Sequence, residues 1–272
     1  MIKVDFGNQV SNRYRKHIHN FYFLTPTINR KYTLLLGKGN ETEVWKLKTH
    51  SNNQIIWKAR KLFASKKARD SEYSYLWLLK HPKIVEVEIS GITLFHGQLR
   101  YFLDLELCRT NLEDIISRRE LFGGTNLVLW FIDLLSALEF IHRKDVIHND
   151  IKPMNILLST SGHMKICDFT HAQLASNKNV YIIGTQVYQA PEKINLEPYH
   201  FASDMWQLGL VVYLMVEGVH PFIDQEFNCS VSVDCLFQEY KMNIRKKTLT
   251  FSAKGSTIFS FPGSIHKSTV ND

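Results

Sequence analysis

Several features are missing from this 272-residue sequence, and each absence removes a class of protein. There is no internal repeat, no low-complexity linker and no apolar run of the roughly 20 residues that a membrane-spanning helix requires. The first residues lack the apolar core of a signal peptide. The four cysteines have no metal-ligand spacing. We therefore expect an intracellular protein with reduced cysteines and no membrane partner.

The composition is that of a compact folded protein. Hydrophobic residues make up 44% of the chain and aromatic residues 12%, which is enough for a substantial core and argues against disorder. The net charge is +7, with basic residues near both ends, at Arg13, Arg15, Lys16 and residues 245–247. Charge alone gives only weak, salt-sensitive attraction to anions. We interpret these residues as solvated surface and do not expect direct nucleic-acid binding.

The strongest chemical signal is the run from His148 to Asn155, which is followed by Asp168. Phosphoryl transfer needs a held phosphate, a metal ion that neutralises charge, and an aligned acceptor hydroxyl. Asp150 and Asn155 keep the five-residue interval at which an aspartate accepts the hydroxyl proton and an asparagine turns back to the metal. Asp168 is the candidate for a second oxygen ligand. The spacing predicts a phosphoryl-transfer site.

Further motifs follow the same order as in the eukaryotic protein kinase family, which the chain resembles from about Tyr32 to about Phe222. They are a glycine-rich stretch at 37–44, a strand lysine, Glu72 before His81-Pro82-Lys83-Ile84-Val85, the loop at 148–155, Asp168-Phe169-Thr170, the G-T-x-x-Y-x-A-P-E segment at 184–192, and the D-x-W-x-x-G match at 204–209. The resemblance implies a serine/threonine protein kinase that uses ATP and Mg²⁺.

The implied fold is α+β and bilobal. It has a small β-rich N-lobe with one regulatory helix, and a mainly helical C-lobe that looks shortened at its C-terminal end. The corresponding domains are an N-terminal extension at 1–30, the N-lobe at 31–105, and the hinge and C-lobe at 106–272. Apolar residues at helical spacing also predict a helix between Thr125 and Lys144.

The family's residue roles can be placed on this chain. Asp150, Lys152 and Thr185 match the catalytic positions, and this set implies serine or threonine acceptors. Asp204 would hold the backbone of the catalytic loop. Leu105 would be the gatekeeper. The nucleotide contacts would come from Gly37, Gly39, Val44, Lys58, Glu72, Leu105, Glu106, Leu107 and Leu157.

Two lysines compete for the phosphate contact. Lys58 ends a stretch that matches the family's V-A-I-K, and Lys61 fits an A-x-K pattern. Strand alternation places the two on opposite faces, so only one can point at the nucleotide. We predict Lys58, because its distance from Glu72 leaves room for the end of the strand and the start of a helix.

Three positions depart from the family pattern. Thr42 replaces the third glycine, Asn149 replaces an arginine that grips a phosphorylated loop in regulated members, and Thr170 replaces a glycine. A β-branched residue restricts the backbone where that glycine allows it to flip. Because asparagine has no charge to hold a phosphate, we expect activity without phosphorylation of Ser176, Tyr181 or Thr185; loss of activity after phosphatase treatment would contradict this.

The end of the chain also departs from the family. No D-P-x-x-R run follows residue 223, and Arg245 is the candidate partner for Glu192. The segment is reduced, rebuilt, or completed by a second subunit in a homodimer. A pseudokinase scaffold is the main alternative function. A small-molecule phosphotransferase of the aminoglycoside kinase type is disfavoured, because the segment at 184–192 serves an extended peptide.

The narrower likeness is to the late serine/threonine kinases of baculoviruses. It implies action in the cytoplasm or nucleus of an infected host cell, on a basic, arginine-rich protein that packages viral DNA. Acidic groups would then recognise the substrate, and the candidates are Glu106, Glu113 and Asp114. Glu113 and Asp114 also fit the first turn of a helix capped by Thr110 or Asn111, where acidic residues are favoured.

Overall fold

The computed structural model describes residues 23–24, 31–39, 41–51, 54–118, 124–177, 184–198, 200–223 and 233–246. The strands are β1 Phe23–Leu24, β2 Lys31–Lys38, β3 Thr42–Ser51, β4 Gln54–Phe63, β5 Val87–Phe95, β6 Gln98–Glu106, β7 Thr110–Asn111, β8 Val146–Ile147, β9 Ile156–Leu158, β10 Met164–Ile166 and β11 Gln173–Leu174. The helices are α1 Lys66–Leu78, α2 Leu112–Ser117, α3 Gly124–Arg143, α4 Pro191–Ile194, α5 Phe201–Glu217 and α6 Val233–Lys246.

The N-lobe is a six-stranded sheet in the order β1-β5-β6-β4-β3-β2. All neighbouring strands are antiparallel except β1, which lies parallel to β5. Helix α1 begins directly after β4, and the Ser65 hydroxyl caps it by accepting a hydrogen bond from the Ala68 N–H at 3.4 Å. This β-rich lobe with one helix, joined to a mainly helical lobe, confirms the predicted α+β kinase fold.

The face of this sheet opposite to α1 contains a buried ion pair, which the sequence analysis did not predict. Arg60 on β4 and Asp104 on β6 are paired across the two strands, and each is 1% exposed. The guanidinium donates two hydrogen bonds to the carboxylate, Nε to Oδ1 at 2.6 Å and Nη2 to Oδ2 at 2.7 Å. It also lies 3.7 Å from the ring centre of Phe102. Such two-point pairing offsets the cost of removing both charges from water.

The C-lobe core is built on α3 and α5, and α3 confirms the helix predicted between Thr125 and Lys144. Leu134, Leu138 and Ile141 of α3 are buried at the expected helical spacing. Helix α5 ends at Gly218, whose φ of 74° is left-handed and favours glycine. The short β9–β10 hairpin lies beside α3. In sequence it lies between the two predicted metal ligands, Asn155 and Asp168.

The two lobes are joined by backbone hydrogen bonds between the segment after α1 and β10. The Val85 N–H donates to the Ile166 carbonyl, and the Ile166 N–H donates to the Lys83 carbonyl, both at 2.9 Å. Ile84 and Ile166 are both 2% exposed or less. The H-P-K-I-V turn therefore fixes the N-lobe to the strand that immediately precedes Asp168.

Helix α6 packs against the segment at 186–189 and against α5. Tyr240 is fully buried, and its hydroxyl donates to the Gln189 carbonyl at 2.5 Å and accepts from the Trp206 indole N–H at 3.2 Å. Glu192 is held by the Ser203 hydroxyl at 2.7 Å. The Arg245 side chain, predicted as the partner of Glu192, lies outside the described residues.

Other predicted features also lie outside the described part of the chain. They are the basic residues Arg13, Arg15, Lys16 and Lys247, Tyr181, most of the extension at 1–30 and the tail at 247–272. Among the helices that the structure describes, none is both long enough and apolar enough to cross a membrane.

The buried ion pair yields a stability prediction. Asp104→Asn leaves the Arg60 charge buried without its counter-charge, and we expect the free energy of unfolding to fall by roughly 3–5 kcal/mol. Denaturant unfolding measures this loss.

The matched control is Glu88→Gln. Glu88 is the partner of Lys58 on the same sheet, and its side chain is 36% exposed. We expect this control to cost no more than about 1 kcal/mol. If both variants lost the same free energy of unfolding, burial would not determine how much the Arg60–Asp104 pair contributes to stability.

Candidate active site

One buried carboxylate holds the catalytic loop, residues 148–155. Asp204 of α5 is fully buried and accepts hydrogen bonds from the backbone N–H groups of His148 and Asn149, at 2.9 and 2.8 Å. The His142 ring, through Nε2, lies 2.8 Å from the same carboxylate. Asn149 has a φ of 66°, a backbone conformation that asparagine tolerates better than most residues. Asp204 thus lies where the sequence predicted a group that holds this loop.

A second side chain of α5, which the sequence analysis missed, completes this support. Gln207 accepts a hydrogen bond from the Ile151 N–H at 2.9 Å, and its own amide donates to the Asn149 carbonyl at 3.2 Å. Its polar character within an otherwise apolar helix was the available signal. Three backbone N–H groups of the loop are therefore bound by α5 side chains, which fixes the position of Asp150 between them.

His148 is a neutral structural residue. Its Nδ1 accepts from the Asp150 N–H at 3.3 Å, so the ring proton is on Nε2, which donates to the Cys167 carbonyl at 3.0 Å. Burial lowers the pKa of His148 despite nearby carboxylates. The ring therefore joins the catalytic loop to the residue before Asp168 and does not act as an acid or base.

Asp150 is almost fully buried and is surrounded by donors. Its Oδ1 accepts from the Thr185 N–H at 2.8 Å, and its Oδ2 lies 2.8 Å from Lys152 Nζ and 2.9 Å from Asn155 Nδ2. Burial alone would raise the pKa of Asp150, but the charge of Lys152 and these hydrogen bonds outweigh it and lower the pKa. Asp150 is therefore ionised at neutral pH and can only accept hydrogen bonds.

The segment at 184–192 approaches the loop closely. The Thr185 hydroxyl accepts a hydrogen bond from Lys152 Nζ at 2.6 Å. Gly184 has a φ of 87°, and a Cβ there would collide with the Asn149 carbonyl. The structure thus brings together Asp150, Lys152 and Thr185, the three predicted catalytic residues.

Lys61, Glu72 and Asp168 form a group of ions, called here the Lys61 cluster, in which Lys61 and Glu72 are buried and Asp168 is half-buried. Lys61 Nζ lies 2.9 and 2.7 Å from the two carboxylate oxygens of Glu72, and 2.8 Å from Asp168 Oδ1. Burial opposes the charge of Lys61, but the two carboxylates outweigh it and raise the pKa of the lysine. The same lysine lowers the pKa of Asp168, again against the effect of burial. For Glu72, burial and the Asp168 charge dominate and raise the pKa.

The prediction of Lys58 as the phosphate-contacting lysine is wrong. Lys58 lies on the opposite face of β4 and pairs with Glu88, whereas Lys61 pairs with Glu72. The spacing argument overestimated the chain length needed between lysine and glutamate. Strand β4 extends to Phe63 and α1 begins at Lys66, so Glu72 already lies in the second turn of the helix.

Two oxygens of the predicted metal ligands are available. Asn155 uses its amide nitrogen on Asp150, which leaves Oδ1, and Asp168 uses Oδ1 on Lys61, which leaves Oδ2. Neither remaining oxygen has a hydrogen bond to any residue that the structure describes. The Cys167 N–H donates to the Asn155 carbonyl at 3.0 Å, which places the two ligands side by side. Carboxylate and amide oxygens fit Mg²⁺.

The residues predicted to contact the nucleotide lie on or next to the strands β2, β3, β6 and β9. Gly37 and Val44 are cross-strand partners, and Val44 and Leu157 pack against the cluster that contains Leu105. Gly39 lies at the end of this hairpin, where its N–H donates to the Thr42 carbonyl at 2.8 Å. Val44 is also the cross-strand partner of Lys61. Val44 therefore lies on the strand next to Lys61, and Val44 and Leu157 are both partly buried apolar side chains.

The predicted hinge offers backbone donors to a ligand. The Glu106 N–H is already bound to the Glu86 carbonyl, and its carboxylate accepts from Lys165 at 2.5 Å. The N–H groups of Leu107 and Cys108 have no backbone hydrogen bond within the described part of the chain.

Comparisons with known proteins agree with this geometry. A family model described as protein kinase domain matches residues 31–264. A probable serine/threonine-protein kinase CCRP1 of Zea mays is 32% identical over 212 residues, which are 72% of this chain and 33% of that protein. The serine/threonine-protein kinase Nek4 of Mus musculus is 29% identical over 211 residues, 74% of this chain and 26% of that protein. The chain spans about a third or less of these relatives' length.

The lysine assignment can be tested directly. Lys61→Met removes the counter-charge of two carboxylates and the cation next to the metal ligands. We expect phosphoryl transfer from ATP to fall by about 10²-fold or more. Lys58→Met, three residues away on the same strand, is the matched control, and we expect it to stay within about twofold of the original rate. Loss of transfer in the Lys58 variant with transfer retained in the Lys61 variant would reverse the assignment.

Proposed function

Since this chain belongs to the protein kinase domain family, we propose that it is an ATP-dependent serine/threonine protein kinase. It transfers the γ-phosphate of ATP to protein hydroxyl groups. The observation that carries this proposal is the joint placement of Asp150, Lys152 and Thr185 with the Lys61 cluster and Asn155. A binding module needs no such complete set, which disfavours the pseudokinase alternative.

The mechanism follows from the roles that the contacts permit. Lys61, held by Glu72, would contact the phosphates of ATP. Asp150 stays ionised and orients the acceptor hydroxyl by accepting its proton in a hydrogen bond. Lys152, 2.8 Å from Asp150, offsets the negative charge that develops on the transferring group. Thr185 holds Lys152 in place. It also limits the acceptor to a serine or threonine whose hydroxyl can reach the Asp150 carboxylate.

Mg²⁺ would be held by Asp168 and Asn155, and when bound it neutralises charge on the phosphate oxygens. Because Asn155 also donates to Asp150, the metal ligand and the hydroxyl-orienting carboxylate are fixed relative to each other. The purine would lie between Val44 and Leu157, with the backbone of Leu105 to Leu107 along its edge.

Asn149 supports the proposal that this kinase acts without phosphorylation of its activation segment. The Asn149 amide donates to the His171 carbonyl at 3.0 Å. Other members have a phosphate-binding arginine at this position, whereas here Asn149 binds the backbone of the segment after Asp168 directly. Thr185 has its N–H and hydroxyl engaged with Asp150 and Lys152. Of the three candidate modification sites, only Ser176 is both described and exposed.

We further propose a basic protein substrate, which in an infected host cell would be an arginine-rich viral DNA-packaging protein. Of three candidate acidic residues, Glu106 is engaged by Lys165 and Asp114 by the Thr110 hydroxyl and the Asn111 cap. Glu113 is exposed, and partial burial of its carboxyl and the nearby Asp114 raise its pKa. Burial raises the pKa of Tyr188, and the charges of Glu113 and Asp150 raise it further. Glu113 is therefore the candidate for recognition.

The decisive experiment is transfer of labelled γ-phosphate from MgATP to an arginine- and serine-rich peptide. We expect transfer by the unaltered chain and a loss of about 10²- to 10⁴-fold in Asp150→Asn, because asparagine cannot accept the hydroxyl proton in the same way. The variant should still bind ATP, as calorimetry would show. Binding of ATP without transfer to this or any generic protein acceptor would favour the scaffold function instead.

Substrate recognition is tested separately. We expect Glu113→Gln to raise KM for the basic peptide by about threefold to fivefold with kcat unchanged, and the effect to shrink at high salt. Glu139→Gln, an exposed carboxylate on α3 with 68% of its side chain accessible, is the control and should leave KM unchanged. Equal KM values for all three proteins would rule out Glu113 as the recognition residue.

A further inference from the structure

Thr170, which stands where most kinases have glycine, reaches the centre of the Lys61 cluster. Its hydroxyl oxygen lies 2.6 Å from Asp168 Oδ1, 2.9 Å from Glu72 Oε2 and 3.1 Å from Lys61 Nζ. A glycine has no atom at this place. The sequence analysis considered only the stiffness of a β-branched residue here and assigned no role to the hydroxyl.

The donors and acceptors of this group define what the hydroxyl does. Lys61 can only donate, and the two carboxylates can only accept. The Thr170 oxygen therefore accepts from Lys61 and donates its single proton to one of the carboxylates, Asp168 or Glu72. The cluster has two negative charges and one positive charge, with Lys61 and Glu72 buried, Asp168 half-buried and Thr170 exposed. A neutral donor between the carboxylates reduces their repulsion.

The hydroxyl also connects separate parts of the fold. Glu72 belongs to α1 in the N-lobe, whereas Asp168 and Thr170 belong to the loop that follows β10. The next residue of that loop, His171, is held from the C-lobe side by the Asn149 amide at 3.0 Å. The segment 168–171 is thus attached to α1 on one side and to the catalytic loop on the other.

Asp168 gains a fixed orientation from this arrangement. Its Oδ1 receives Lys61 Nζ and the Thr170 hydroxyl, and the Thr170 N–H also lies 3.3 Å from it. Binding at Oδ1 leaves Oδ2 directed away from these donors. Asp168 itself has a φ of 64°, an unfavourable backbone conformation that needs support from its surroundings.

We propose that Thr170 is a positioning residue whose hydroxyl holds Asp168 and Glu72 in the arrangement that binds metal-bound ATP. It does so without touching the nucleotide. The proposal rests on the proposed kinase function, but it concerns the order of the loop and the binding of nucleotide as well as the rate of transfer.

Three substitutions separate the hydroxyl from the backbone effect. Thr170→Val keeps the β-branched shape and removes the hydroxyl, Thr170→Ser keeps the hydroxyl and removes the methyl group, and Thr170→Gly removes both. Hydrogen bonds to charged groups are among the stronger ones, so we expect the valine variant to bind MgATP about tenfold more weakly. The serine variant should stay within about threefold of the original affinity.

Two readouts are needed. Calorimetry gives the affinity for ATP with and without Mg²⁺, and we expect the valine variant to lose affinity mainly in the presence of the metal. Hydrogen exchange of the nucleotide-free protein gives the order of residues 168–174, where we expect faster exchange in the valine and glycine variants and not in the serine variant. In the valine variant, we expect the steady-state KM for ATP to rise and kcat/KM to fall by a similar factor.

The outcomes are distinguishable from failure of the proposed function. If the unaltered protein binds MgATP but transfers no phosphate, the kinase proposal fails while both readouts of Thr170 remain valid. If the valine variant matches the unaltered protein in metal-dependent affinity and in exchange, the positioning role is wrong. If serine and valine variants are equally impaired, the methyl group and not the hydroxyl is responsible, and the proposal is overturned as well.

Discussion

The buried carboxylate of Asp204 is the interaction on which the site depends. It binds the backbone of the catalytic loop at His148 and Asn149, where no strand or helix partner is available to those N–H groups. An unpaired buried N–H is costly, and a loop has few internal ways to avoid that cost. With Gln207 alongside, α5 replaces the hydrogen bonds that regular secondary structure would supply. Asp150 is rigid because the backbone on both sides of it is bound.

The N-lobe uses charge in two different ways on its two faces. On one face, Lys61 lies beside two carboxylates, Glu72 and Asp168, so the cluster carries a net negative charge. On the other face, Arg60 and Asp104 match each other in charge and geometry, and both are buried. Adjacent residues on β4 therefore serve chemistry and structure separately, because strand alternation sends them to opposite sides.

The sequence predicted the elements with local patterns well. Helix α3 follows from apolar spacing, and the capped start of α2 follows from Asn111, which accepts from the Asp114 N–H. The catalytic loop was found because its residues have a fixed interval that reflects the chemistry. Lys58 was preferred to Lys61 because a motif match cannot show where a strand ends. The Arg60 pair and the Thr170 hydroxyl depend on strand register and side-chain geometry, which local sequence does not encode.

The catalytic loop is synthesised before the side chains that hold it. Its anchors in α5 follow the groups that they bind by 55 to 58 residues. At the usual rates of translation, about 3 to 11 seconds pass between the two. During that interval the N–H groups of His148, Asn149 and Ile151 lack the α5 side chains that bind them, while β2 to β6 already have all their sheet partners within the emerged chain. The N-lobe sheet is thus able to form first, and the loop at 148–155 reaches its described structure only after α5 has docked.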